Sequence, residues 1–207
     1  MKKKLFIMLA LVCAVVLCLC ACGGGNNGGG GEQGGGEQGG GGAPAAKGEM
    51  IDTGVVKGLC PDGWMYYQQT DMWGEKDADG NYPPDLTKMA FCKGGKDEWD
   101  LFSKPTVYAA YSDGEITDDT LSWAGMLLDE SEEISVDIQG KTCRALHGKS
   151  LISEDNPEKD YWEYVYAFYP VDGGYIQVTV PLHCGEKDGV KVEDADVQAI
   201  LSSLAKD

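Results

Sequence analysis

Between Gly23 and Gly42 only Asn26, Asn27, Glu32, Gln33, Glu37 and Gln38 interrupt a run of glycine. Such a segment has no side chains to bury and the largest backbone entropy to lose on ordering, so it cannot join a packed core. It reads as a linker extending to about residue 48, with an end-to-end reach on the order of 30 Å. Folding is confined to the residues after it. Glu49 to Asp207 spans roughly 160 residues, one domain's worth, enough to bury about two-thirds of the surface its unfolded chain exposes.

The segment before the glycines reads MKKKLFIMLALVCAVVLCLCAC. Lys2, Lys3 and Lys4 form a positive start, and Leu5 to Leu19 form an apolar run, the build of a secretory signal peptide. Three cysteines close it, but Cys18 follows Leu17 and Cys20 follows Leu19, whereas Cys22 follows the small Ala21. Leu19-Cys20-Ala21-Cys22 resembles the lipobox of bacterial lipoproteins, with Cys20 departing from the usual small residue at its position. The resemblance implies removal of residues 1–21 and acylation of Cys22. A cysteine bearing two or three acyl chains is held in a membrane by about 0.8 kcal/mol per buried methylene. Residues 22–48 then form the anchor and tether. The expected location is the outer face of a cell membrane. The glycine tether suits the single-membrane envelope of a Gram-positive bacterium; in a two-membrane cell, the absence of Asp at residue 23 gives no inner-membrane retention cue.

Charge narrows the partners. The chain carries 17 Lys+Arg against 34 Asp+Glu, a net charge of −17. Loss of the three leader lysines and no acid takes it to −20. A domain this acidic is repelled by nucleic acid and by anionic headgroups, which excludes DNA and RNA as partners. An unidentified protein or a small molecule remains as ligand, and no residue pattern calls for a cofactor.

Four cysteines remain after the anchor: Cys60, Cys92, Cys143 and Cys184. An even number in an exported domain permits two disulfides in three connectivities. No CxxC spacing exists among them, which argues against a structural zinc site or a thioredoxin-type motif. Cys143 and Cys184 fall on the apolar sides of late strands, and Cys60 and Cys92 on early strands flanking an acidic loop. The expectation is therefore Cys60–Cys92 and Cys143–Cys184, with the other connectivities and free thiols as alternatives.

Period-two patterning dominates the domain. Ile134, Val136 and Ile138 alternate with Ser135 and Asp137, and Gln139-Gly140 makes a two-residue turn into KTCRALHGKS. That hairpin sets Ile138 opposite Lys141, Val136 opposite Cys143 and Ile134 opposite Ala145. A second hairpin joins YWEYVYAFYP to YIQVTVPL, with Ile176, Val178, Val180, Leu182 and Cys184 expected on one face. VVKGLCPDGWMYYQ, KMAFCKG and PTVYAAYS read as earlier strands. TDDTLSWAGMLLDES reads as a helix capped by Thr117, and DADVQAILSSLAKD as a closing helix with a Val197, Ile200, Leu201, Leu204 stripe.

This order, with PDGW early, a mid-chain helix and a GYIQVTV…VQAILSSL ending, is similar to the PsbP-like fold. The resemblance covers residues 52 to 205. It implies an α+β class in which an antiparallel sheet packs between helices, and a binding or accessory role, since members of that superfamily are predominantly non-enzymatic. It carries no functional residue onto a numbered position here.

Candidate chemistry is sparse. The Gly140-Lys141-Thr142 and Gly148-Lys149-Ser150 triplets lack the upstream glycine of a phosphate loop and sit in strand or turn. Cys143 and His147 share a strand side but lie about 13 Å apart, beyond proton-transfer reach. Glu75, Asp77 and Asp79 precede Gly80 at the 1-3-5-6 spacing of a calcium loop, yet position 12 is Leu86 and Pro83-Pro84 bars an exiting helix. They are weak metal candidates. The aromatics Trp162, Tyr164, Tyr166 and Phe168 alternate with Tyr161 and Tyr169, so one side is core. The other, with Tyr161, Glu163 and Tyr169, either lies under a helix or exposes rings for sugar stacking or docking. The expected function is a tethered, non-enzymatic binding module. The alternative is a hydrolase using scattered acids such as Asp113, Glu115 or Glu163.

Overall fold

The computed structural model describes residues 47–126, 128–152, 156, 158, 160–185 and 187–207. Cys22, with the expected leader and most of the tether, lies outside the described residues. The described chain falls into two compact units: residues 70–84, and residues 47–69 with 85–207. The first is held by its own loop bonds, among them Asp71 N–H to the Pro83 carbonyl at 2.8 Å and Asp77 N–H to the Asn81 carbonyl at 2.9 Å.

The larger unit is built on strands. In chain order they are β1 (Gly48–Asp52), β2 (Val56–Pro61), β3 (Trp64–Thr70), β4 (Pro84–Lys93), β5 (Thr106–Asp113), β6 (Glu130–Ile138), β7 (Lys141–Leu151), β8 (Tyr161–Val171), β9 (Gly174–Gly185), β10 (Lys187–Asp188) and β11 (Ala205–Lys206). Helix α1 (Asp118–Gly125) follows β5 and α2 (Ala195–Ser203) follows β10, and a 3-10 turn spans Glu98–Phe102. A large sheet runs β3-β4-β5-β9-β8-β7-β6 with β10 attached to β9, and a small one runs β1-β2-β11. Pairing is antiparallel in every described ladder.

The β6–β7 hairpin has the expected register, Ile138 with Lys141, Val136 with Cys143 and Ile134 with Ala145. Its turn needs left-handed backbone at both central residues, and Gln139 (φ 55°) and Gly140 (φ 73°) supply it. Gln139 is held there by its side chain: Nε2 donates to the Leu204 carbonyl at 2.6 Å, and Oε1 accepts from the Tyr169 hydroxyl at 2.9 Å.

One face of the large sheet is the inner face. Val107, Ala109, Val136, Cys143, Ala145, Val165, Ala167, Ile176, Val178 and Val180 project from it into one buried cluster. Against them pack Val197, Ile200 and Leu201 of α2, with Leu204 just beyond it, at most 1% exposed. Each such side chain contributes roughly 1.5–3 kcal/mol by leaving water. Strand β2 also lies on this face. A Cβ on Gly58 would stand 3.1 Å from Leu204 Cδ2 and 3.3 Å from Phe91 Cζ, so a larger residue there would have to push these side chains back by a few tenths of an ångström. Helix α1 covers part of the opposite, outer face, where Leu121 packs on Leu146 and Phe168.

The expected α+β class, a sheet sandwiched between helical layers on the PsbP-like pattern, is not what forms: among the described residues each face carries one short helix and no helical layer. Among the described residues 54% are strand and 14% helix, a β-rich fold. The physical reason lies at both helix ends. The mid-chain helix ends at Gly125, a poor helix former, and residues from Glu130 enter β6, while Ala205 and Lys206 pair with β2 instead of extending α2. Much of the inner-face cover is consequently a second small sheet.

Candidate functional site

The cysteines do not pair as expected: all four are free thiols. Tyr164 faces Pro181 while Glu163 faces His183, so Leu182 is an extra residue in β9. This bulge reverses the alternation and sends Cys184 to the outer face, opposite Trp162. Trp162 in turn faces Ser150, seven residues along β7 from Cys143, a separation of about 23 Å. A bridge needs Cα atoms within about 7 Å. Cys60 belongs to the inner-face core. Cys92 follows the core residue Phe91 and so points to the outer face, which separates that pair as well. Burial raises the Cys60 thiol to about 11 and pushes up those of Cys92, Cys143 and Cys184. These are small hydrophobes rather than nucleophiles.

The acids singled out from the sequence are dispersed. Asp113 faces Gly174 and Glu163 faces His183, nine residues apart on β9 and thus about 30 Å. Carboxylate pairs that hydrolyse glycosides stand no more than about 9.5 Å apart. Glu115 lies two residues past Asp113, in the approach to α1. Within the 70–84 unit, the Asp77 carboxylate accepts from Asp79 N–H and Asn81 N–H at 2.9 Å each and from Asn81 Nδ2 at 3.3 Å. Those bonds, led by the Asn81 backbone, hold its pKa below the usual carboxylate value. The carboxylate thus closes its own loop. Glu75 and Asp79 are exposed beside it, and among the described residues no three such groups converge as metal ligands. The Gly140 triplet begins in the β6–β7 turn and the Gly148 triplet lies within β7.

Two clusters do form. The first continues the inner face beyond the apolar core, where β6 to β9 carry Glu132, His147, Lys149, Tyr161, Glu163 and His183. His147 Nε2 lies 2.7 Å from Glu163 Oε1 and its Nδ1 3.2 Å from Glu132 Oε1. Tyr161 stacks on His183 at 4.0 Å between centroids, and Lys149 Nζ sits 3.8 Å from the Tyr161 ring centre. Partial burial works to lower the His147 pKa, but the hydrogen bonds to Glu163 and Glu132 outweigh it and raise the value. With both ring nitrogens engaged, His147 is a cross-strand clamp rather than a free base.

The second cluster is on the outer face. A shallow cleft of about 470 Å³ opens between α1 and β9, lined by Thr117, Asp119, Thr120, Trp123, Tyr175 and Gln177 among others. Thr117 and Thr120 form a reciprocal capping box, Thr117 Oγ1 accepting from Thr120 N–H at 3.3 Å and Thr120 Oγ1 from Thr117 N–H at 3.1 Å. That fixes the start of α1, and Asp119 and Trp123, four residues apart, share its exposed side. Trp123 is 69% exposed, far more than a ring of its size usually is. Next along the same face of β9, Thr179 is flanked by Tyr108 of β5 and Tyr166 of β8. Burial pushes both phenols up to about 12.

No protein-family model matches the chain, and neither does any curated protein. Among solved structures it is similar to a protein of Bacteroides thetaiotaomicron VPI-5482 determined at 1.50 Å, with 10% identity and a TM-score of 0.44. The likeness covers 79% of this chain and 49% of that one, so the chain spans about half that protein's length.

The sequence points to the wrong side of β8 for exposed rings. Tyr169 is 5% exposed and belongs to the core, and the side bearing Tyr164 and Tyr166 faces outward. In the sequence Trp123 reads only as part of a helix. Its place on the polar side of that helix, two residues past the buried Leu121, is the signal that sets it apart.

Proposed function

We propose that this chain is a lipid-anchored, non-enzymatic binding module, carried outside a cell membrane on acylated Cys22 and the glycine tether. The observation that carries the binding role is the cleft between α1 and β9 with Trp123 displayed at its rim. Trp73 and Trp99 are also exposed, but among these three only Trp123 lines the cleft, and a capping box holds its helix in place. Asp113 and Glu163 stand about 30 Å apart, too far to work as a pair, and both ring nitrogens of His147 are already engaged by carboxylates. The lipobox resemblance and the glycine tract support the anchor.

The anchor is tested by fractionating cells that express the full chain. Wild type should partition with membranes, and Cys22→Ala should accumulate as precursor or pass into the medium. A Cys22→Ala chain that stays acylated and membrane-bound through Cys20 would overturn this assignment.

A further inference from the structure

We propose that the cleft on the outer face of the large sheet binds a neutral glycan chain, one sugar ring stacked on Trp123 and the chain running on over Gln177 along β9. This deepens the binding-module reading and rests on it.

Shape argues first. Pockets for small molecules enclose most of their ligand, whereas this cleft is shallow and open, with Trp123 on one side and Gln177 in its lining. Gln177 and Thr179 alternate with the core residues Ile176 and Val178, so both stand on the outer face about 7 Å apart. The backbones bearing Tyr108 and Tyr166 flank Thr179 one strand away on either side, and so are separated by about 10 Å. Thr179 therefore lies next beyond Gln177 on the outer face, with an aromatic residue on each neighbouring strand.

Chemistry argues next. Sugars present C–H faces that lie on aromatic rings and rims of hydroxyls that both donate and accept. Trp123 supplies an open ring. The Asp119 carboxylate supplies acceptors only, and Gln177 both kinds. A proline-rich peptide also fits aromatic grooves, but it offers few donors to satisfy Asp119 and Gln177.

Charge excludes the remaining class. Among the described residues no Lys or Arg lines the cleft, Asp119 does, and the whole chain is at −17. An anionic polysaccharide would be repelled.

The test titrates the full mature chain, kept water-soluble by Cys22→Ala, with neutral hexamers: β-1,4-linked N-acetylglucosamine, β-1,4-glucan and α-1,4-glucan. A galacturonate hexamer and a proline-rich peptide serve as rivals, and calorimetry and tryptophan fluorescence report binding. At least one neutral hexamer should bind. Trp123→Ala should weaken it about tenfold, and Gln177→Ala severalfold, without change in melting temperature. Trp99→Ala, removing a tryptophan that is 74% exposed but outside the cleft, should leave affinity unchanged. Failure of all three neutral hexamers to bind overturns the proposal, as does an affinity indifferent to Trp123→Ala. Binding of only the peptide through Trp123 overturns the glycan assignment and leaves the binding module standing.

Discussion

His147 Nε2 and the Glu163 carboxylate meet at 2.7 Å across neighbouring strands, and Glu132 approaches the other ring nitrogen from the strand beyond. Because the carboxylates raise the His147 pKa, the folded protein holds this proton more tightly than the unfolded chain. The stabilisation is therefore complete below the ordinary histidine value of about 6.5 and lost as pH rises through the higher folded value. Melting temperature measured from pH 6 to pH 8 should fall more steeply for wild type than for His147→Gln or Glu163→Gln. Equal slopes in all three would refute the clamp.

Gln139 adopts a backbone conformation that favours glycine, and its side-chain bonds to Leu204 and Tyr169 keep it there. Tyr169→Phe removes the donor to Gln139 Oε1 and should cost about 1 kcal/mol in urea unfolding. Gln139→Gly relieves the backbone but loses both bonds, so it should not exceed wild-type stability.

The thiols should report burial. In the mature Cys22→Ala chain, an aromatic disulfide reagent should label at most the half-buried Cys184 quickly, and all four cysteines once urea is added. Reductant should leave the melting temperature unchanged. A reductant-induced drop would reveal a bridge and contradict the separations across the sheets.

Gly58→Val places two methyl groups into a space where even a Cβ stands 3.1 Å from Leu204 and 3.3 Å from Phe91. Overpacking there should destabilise by about 1–3 kcal/mol in equilibrium unfolding.

What the sequence could convey tracks how local the determining interactions are. The register from Ile134 to Ala145 was legible because a period-two pattern meets a two-residue turn. The stripe of α2 was legible for the same reason at helical period. The small sheet was not, because its strands are short and Ala205 pairs with Lys57 across nearly the whole domain. Leu182 gave no local sign of the bulge, yet that single residue moved Cys184 across the sheet. The outer-face cleft depends on α1 lying over β9, a contact between segments distant in the chain. Its residues were visible individually but their convergence was not.

Strand β6 ends the large sheet, and Glu130, Glu132, Glu133 and Asp137 line it. Anchoring by Cys22 would confine many copies to two dimensions, where neighbours collide far more often than in free solution. An open strand there is a template for fibril growth. Like charges on this border oppose the meeting of two such rims, so copies could crowd densely on one envelope without polymerising.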